Sequence, residues 1–336
     1  MGVITVELRS FGGRDHGMSA DMTGRQANLV TSGGVTVQLS HLDKVFFPDE
    51  GLRKGDLVDY YRMVAPRMLP YLRDRPVVIG RYPDGVTGEA IIQKNVSRHF
   101  PDWVKRVEVP RIGRGGAVCQ VVCDKPETLI YLANQACIEL HVLLSRVAAL
   151  DRADQLVFDL DPPAAAAFDE ARRCALDLRR LLEEQLGLTA YVKTTGGKGL
   201  HVHVPLRADE GFDQVREFAR EVAELMVRHD PDRLTLQQRV DQRGKRLYLD
   251  LQRNGYAQMA IAPYSVRARH GAPVATPLHW AEAEDADLNP QRFTMRTMGD
   301  RLAITPDPWA GMSRHRHGLT AARRRLKSLS DGPREG

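Results

Sequence analysis

The stretch QLVFDLDPP, residues 155–163, constrains the fold more than any other part of this chain. An apolar run of strand length closes on Asp159 and Asp161. Side chains alternate across a strand, so the two carboxylates share one face. Like charges that close repel, and one takes up a proton unless a cation sits between them. A pair of Mg²⁺ or Mn²⁺ ions resolves that conflict, and paired metals on carboxylates are how proteins run phosphoryl and nucleotidyl transfer. The strand end therefore points to a metal-dependent enzyme acting on phosphates.

The bulk composition agrees. The chain has 336 residues, 43% apolar and 27% charged, which reads as globular with a sizeable core. It carries no apolar run of about 18 residues, so no membrane span is expected. The start MGVITVELRSFGG lacks the pattern of a secretory signal. Cys119, Cys123, Cys137 and Cys174 show no C-x-x-C spacing and fit small buried thiols in a reducing cytoplasm. A net charge of +5 permits a polyanionic partner without requiring one.

Residues 1–36 are polar and Gly-rich and read as a flexible leader, and 329–336 as a frayed tail. Between them, periodicity predicts a strand entering a turn at VTVQLSHLDKVFFP and a helix over 55–72. Strands follow over 75–81 and 90–94, then a basic hairpin over 103–122 bearing Lys105, Arg106, Arg111 and Arg114. Residues 126–146 read as one or two helices. Strands are expected over 156–161, 189–194, 200–206, 234–240, 246–251 and 258–262, with helices over 166–186 and 213–228. From Pro277 onward the pattern is helical. The class is α+β, a mostly antiparallel sheet with flanking helices.

YVKTTGGKGLHVH lies between two of these strands. Its glycines let backbone N–H groups approach an anion. Lys198 adds charge and Thr195 a hydroxyl. The spacing is not that of a P-loop, and a strand follows rather than a helix. His201 and His203 share one face; His201, nearer the turn, is the better phosphate contact, and the other fits a core histidine. Asp250 ends the strand of KRLYLD and is placed to give a third carboxylate. Arg243 and Arg267 offer the planar fork that suits phosphate.

VFDLDP, TTGGKGLHVHVPL and RGKRLYLDLQRNG…APYSVRAR, in this order, resemble the polymerase domain of bacterial non-homologous end-joining ligase D, of the archaeo-eukaryotic primase superfamily. The resemblance covers about 290 residues. It implies a primase-polymerase core of RRM-like topology within one catalytic domain over 37–328, with an end-binding part over about 37–125 and a catalytic core over about 126–300. It implies that Asp159, Asp161 and Asp250 bind two Mn²⁺ or Mg²⁺ ions. His141, Thr195, Lys198, His201, Arg243 and Arg267 then face the triphosphate of an NTP or dNTP. Lys44 and Lys54 hold the 5′-phosphate of a gapped or recessed DNA end.

The implied activity is addition of nucleotides, ribonucleotides preferred, to primer 3′ ends at gaps and breaks, in end joining or gap-filling repair. The implied partners are an ATP-dependent DNA ligase and an end-binding protein. The chain departs from the family at three points. Thr195 replaces a serine, DLDPP replaces DLDPG, and Ile91-Ile92 replaces a Phe-Phe pair that stacks on the template. Aliphatic side chains can wedge against a base but have no π-face. With no ligase or nuclease segment among the 336 residues, the expectation is a stand-alone relative. Two other readings compete: a DNA-end-binding module with weak catalysis, and a primase that starts strands de novo.

Overall fold

A computed structural model describes residues 29–32, 34–96, 99–113, 115–164 and 167–331. The chain opens with two small hairpins, β1 (Leu29–Ser32) with β2 (Val35–Gln38), and β3 (Val45–Phe47) with β4 (Leu52–Arg53). Next come α1 (Lys54–Leu72), β5 (Pro76–Arg81), β6 (Ile91–Gln93), β7 (Arg106–Pro110), β8 (Ala117–Val122), α2 (Pro126–Asn134) and β9 (Cys137–Leu143). The middle of the chain forms β10 (Gln155–Asp161), α3 (Phe168–Arg180), β11 (Tyr191–Thr194), β12 (Leu200–Pro205), α4 (Phe212–His229), β13 (Leu234–Thr235), α5 (Val240–Arg243) and β14 (Leu247–Asp250). The remainder is β15 (Met259–Ile261), β16 (Pro277–Leu278), α6 (Trp280–Glu284), α7 (Met298–Ile304) and α8 (Thr320–Asp331).

The strands divide between two main sheets. One runs β13-β14-β10-β12-β11-β16; the other runs β15-β9-β5-β8-β7, with β6 on β5. Among the described strand pairs, all are antiparallel except β13 with β14. The α+β class and the antiparallel pairing therefore hold.

Strand alternation explains how the first sheet is built. Leu156, Phe158 and Leu160 of β10 and Leu200, Val202 and Val204 of β12 share one face. They are buried in one core with Ala171, Cys174 and Leu178 of α3 and Val215, Phe218 and Val222 of α4. Each such side chain contributes about 1.5–3 kcal/mol on burial. The opposite face carries Asp159, Asp161, His201 and His203. In the second sheet, Val77, Ile79, Ile138 and Leu140 share a core with Leu57, Tyr61, Val64 and Met68 of α1, residues set at helical spacing.

A buried ion pair ties the two sheets together. Arg75, just before β5, reaches Asp154, just before β10, with Nη1 and Nη2 at 2.5 and 2.6 Å. Arg146 Nε donates to the same carboxylate at 2.8 Å.

Several expectations need correction. Residues 126–146 are not all helix: Gln135 caps α2, Ala136 takes φ +63°, and β9 follows. β9 lies between β5 and β15 and is buried along most of its length, so tertiary pairing overrides the helical reading. The strand expected over 234–240 stops at Thr235, and Val240–Arg243 is a helical turn with no buried residue. Of the leader, residues 1–28 lie outside the described residues, while Leu29–Ser32 pairs with Val35–Gln38. Of the tail, 329–331 belong to α8, which seats Ala322 and Leu326 in the core, and 332–336 lie outside the described residues.

Candidate active site

Register places the key side chains in one row across the first sheet. Asp250 of β14 pairs with Asp159 of β10, Asp159 with His201 of β12, and His201 with Lys193 of β11. Cross-strand partners share a face, so these four side chains stand side by side. The end of β12 can approach β10 because residue 199 is glycine: a Cβ there would lie 2.1 Å from the Leu160 carbonyl oxygen.

Basic side chains and a backbone N–H of the chain engage these carboxylates. Asp159 meets His201 Nε2 at 3.4 Å and Arg253 Nε at 3.2 Å. Burial opposes its ionisation, but His201 and Arg253 hold its carboxyl well below the usual range. Asp161 lies between Lys198 Nζ at 3.0 Å and Arg243 Nη1 at 3.2 Å. Asp250 accepts the Gln252 N–H at 2.9 Å. Its carboxyl is pushed up by burial and by the charges of Asp159 and Asp161, against the Gln252 hydrogen bond. Asp250 thus sits where burial and two acidic neighbours raise the cost of its charged form.

The loop between β11 and β12 folds around Thr195. Its hydroxyl donates to the Gly199 carbonyl at 3.0 Å and accepts the Gly197 N–H at 3.2 Å. Arg267 crosses from the other side: Nη1 donates to the Thr195 carbonyl at 2.8 Å and Nε to Glu139 at 2.9 Å. The other Glu139 oxygen meets His141 Nε2 at 3.2 Å. Burial pushes the Glu139 carboxyl up, but His141 and Arg267 outweigh it and bring it down to about 2. Burial, then the charge of Lys193, pushes His201 down to about 4.

One cavity of about 200 Å³ is lined by His141, Asp159, Asp161, Thr195, Lys198, His201 and Arg267. Asp250 and Arg243 do not line it; they neighbour it as the strand partner of Asp159 and the ion-pair partner of Asp161. A much larger groove, about 1230 Å³, lies beyond Asp250 between α4, β14 and the β7–β8 hairpin. It collects none of the expected site residues, seven of which line the smaller cavity instead.

Lys44 and Lys54 share a separate cavity of about 310 Å³ with Ser40, His41 and Arg81. Lys54 is 5% exposed and donates to the Ser40 carbonyl at 2.6 Å. Burial, then Lys44, lowers its amine to about 8. Ile91 and Ile92 on β6 are 47% and 51% exposed, and Ile91 pairs with Arg81, so this apolar pair borders the lysine cavity. The basic hairpin is less basic than its sequence: Lys105 pairs with Asp74, and Arg106 with Asp102. Arg114 lies outside the described residues.

Sequence reading missed Arg253, Glu139 and Lys193. Glu139 had a usable signal, since it sits two residues from His141 and so shares its face. Arg253 had none. It is placed by Asn254, whose amide donates to the Val157 carbonyl at 2.7 Å and accepts its N–H at 2.8 Å, filling the strand position that β14 leaves after Asp250. His203 is the core histidine, bonded to Gln155 at 3.0 Å and packed 4.9 Å from the Trp309 ring. Among the described residues, the three acid or histidine groups whose ligand atoms close within 4.8 Å are Asp49, Glu50 and His270. They form a surface loop contact, with Glu50 accepting the Gly271 N–H and Asp49 and His270 exposed.

Comparison with known proteins gives one answer. The family model of the LigD primase-polymerase domain matches residues 53–309. The bifunctional non-homologous end joining protein LigD of Bacillus subtilis is 33% identical over 267 residues, covering 79% of this chain and 42% of that protein. The multifunctional non-homologous end joining protein LigD of Pseudomonas aeruginosa is 32% identical over 305 residues, covering 90% of this chain and 36% of that protein. The chain thus spans about two fifths of the length of these relatives. The solved polymerase domain from Mycobacterium tuberculosis ligase D, in complex with DNA, matches with a TM-score of 0.77 at 30% identity, covering 84% of this chain and 99% of that one.

Proposed function

Because the chain belongs to the LigD primase-polymerase family, whose members are nucleotidyltransferase-type polymerases, we propose that it adds nucleotides, ribonucleotides preferred, to primer 3′ ends at DNA gaps and breaks. The carrying observation is the single cavity in which Asp159 and Asp161 meet His141, Thr195, Lys198, His201 and Arg267. A gap-filling step in end joining, in the cytoplasm, alongside an ATP-dependent ligase and an end-binding protein, is the setting this reading implies. Among the described residues, no helix is long and apolar enough to cross a membrane.

The donor set fits a hard divalent cation. Asp159, Asp161 and Asp250 offer only oxygen, which suits Mg²⁺ and Mn²⁺. The upward push on Asp250 from its two neighbours is the repulsion that such an ion relieves. These three residues would hold the ions. When bound, the ions supply activation of the primer 3′-hydroxyl and stabilisation of the leaving pyrophosphate.

The other roles fall to the chain itself. Lys198 and Arg243, now engaged with Asp161, are placed to shift onto triphosphate oxygens and offset charge that grows on them. Arg267 is held by Glu139 and by the Thr195 carbonyl, so its guanidinium orients the nucleotide without first paying for its own ordering. Thr195 secures the glycine loop by accepting the Gly197 N–H, and His141 lines the same cavity. Lys44 and Lys54, with Arg81 beside them, take the 5′-phosphate across the gap. Ile91 and Ile92 wedge against the template base next to that phosphate.

In this reading residues 37–328 act as one catalytic unit, 37–125 presenting the DNA end and 126–300 the reacting core. β9 and β15 of the core complete the N-terminal sheet. The test is primer extension on a gapped duplex, with and without a 5′-phosphate, comparing ribo- and deoxynucleotides. Asp159→Ala and Asp250→Ala should each abolish extension. Variants that extend as well as wild type would refute the assignment.

A further inference from the structure

Among the described residues, three buried nitrogens behind the cavity have no hydrogen-bond partner: Lys193 Nζ, His201 Nδ1 and His203 Nε2. They belong together. Lys193 is the direct cross-strand partner of His201, and the two imidazole rings lie 5.7 Å apart. Lys193 is 0% exposed, so water at the surface does not serve it. An unpaired buried polar group loses its hydration with nothing in return, which makes three at one place a strong demand for mutual pairing.

Their hydrogen inventories match. His201 faces the Asp159 carboxylate with Nε2, so Nε2 carries the hydrogen and Nδ1 is left as a lone pair. His203 faces the Gln155 side-chain oxygen with Nδ1, so Nδ1 carries the hydrogen and Nε2 is left as a lone pair. Two acceptors therefore stand beside one amine. The neighbouring indole is already spent, with Trp309 Nε1 donating to the Val192 carbonyl at 3.0 Å. Burial lowers the Lys193 amine well below its usual range, yet even uncharged it keeps two N–H bonds, one for each histidine.

We propose that Lys193 is a positioning residue that donates to His201 Nδ1 and His203 Nε2, directly or across one buried water, and so fixes both imidazole tautomers behind Asp159. The contact keeps the His201 Nε2–H aimed at one Asp159 oxygen while Arg253 takes the other. Its effect on the reaction rests on the reading of Asp159 as part of the reacting centre; the tautomers themselves do not. Groups that orient a ligand from behind change activity by about 10–100-fold when removed.

The experiment pairs Lys193→Met, of similar length without a donor, with Lys193→Gln, which keeps an N–H₂. Nitrogen-15 histidine spectra of each protein without nucleotide read the tautomer of His201, assigned by comparison with His201→Gln. Wild type and Lys193→Gln should hold the Nε2–H form; Lys193→Met should lose it in favour of a mixture. Extension kcat should fall about tenfold in Lys193→Met and recover in Lys193→Gln, with the nucleotide KM within about twofold throughout. An Nδ1–H form in wild type, or the same His201 tautomer in wild type and Lys193→Met, overturns the proposal. A changed tautomer with unchanged kcat overturns the positioning role. Should Asp159→Ala extend normally while the tautomer still follows Lys193, the reading of Asp159 fails and the histidine contact stands.

Discussion

Raising the pH should release the 5′-phosphate of a DNA end before it affects the nucleotide cavity. Lys54 is lowered to about 8 by burial and then by Lys44. A lysine with that value is about nine tenths charged near pH 7 and about one tenth charged near pH 9. Phosphate monoesters lose their second proton near about pH 6, so the ligand stays a dianion throughout this window. Binding of a 5′-phosphorylated gap relative to a 5′-hydroxyl gap should therefore weaken about tenfold between those limits, through loss of one proton from the protein. The assay is fluorescence anisotropy of the two gapped duplexes at constant ionic strength, since phosphate contacts respond steeply to salt. Lys54→Met should abolish the pH dependence of the preference. Lys44→Ala should weaken binding overall yet move the transition upward in pH, because it removes one of the two causes that lower Lys54. The stability sign is opposite. The folded amine binds its proton more weakly than the unfolded one, so Lys54 makes the fold more stable as pH rises from about 8 toward the ordinary lysine value of 10.5. A flat preference across the window, or a downward shift in Lys44→Ala, would refute the reasoning.

Three further outcomes follow from buried contacts. Asp154→Ala leaves Arg75 charged, buried and unmatched between the sheets, and should cost about 3–5 kcal/mol in urea unfolding; a loss below about 1 kcal/mol contradicts the strap. Glu139→Gln keeps its shape but frees Arg267 and His141, so nucleotide KM should rise about tenfold with a smaller change in kcat in steady-state extension. The same carboxyl, lowered from 4.5 to about 2, stabilises the fold fully above about pH 4.5 and loses that contribution as pH falls toward about 2; acid unfolding of Glu139→Gln should lack that component.

Much of this molecule was legible because strands write their faces in a period of two. Asp159 with Asp161, and His201 with His203, could each be assigned to one face of a strand from spacing alone; the register bears that out and puts both pairs on the same side of the sheet. What spacing could not give is which strands become neighbours. β9 read as helix because its central position, buried on both sides, removes the alternation that identifies a half-buried strand. The division into two sheets was hidden for the same reason, as it depends on contacts far apart in the chain. Arg253 reaches Asp159 only because the Asn254 side chain stands in for a strand, a substitution with no periodic signature. Lys193 looked like an ordinary polar residue of a strand, and only pairing across to His201 reveals that it is enclosed.

The chain passes from β14 in one sheet to β15 in the other, and back to β16. Arg253 sits on the outward crossing and Arg267 on the return. Each arginine that tempers the cavity is thus mounted on a connection whose two ends are fixed to different bodies. The charges that meet Asp159 and the glycine loop thus come from the two segments that link the sheets.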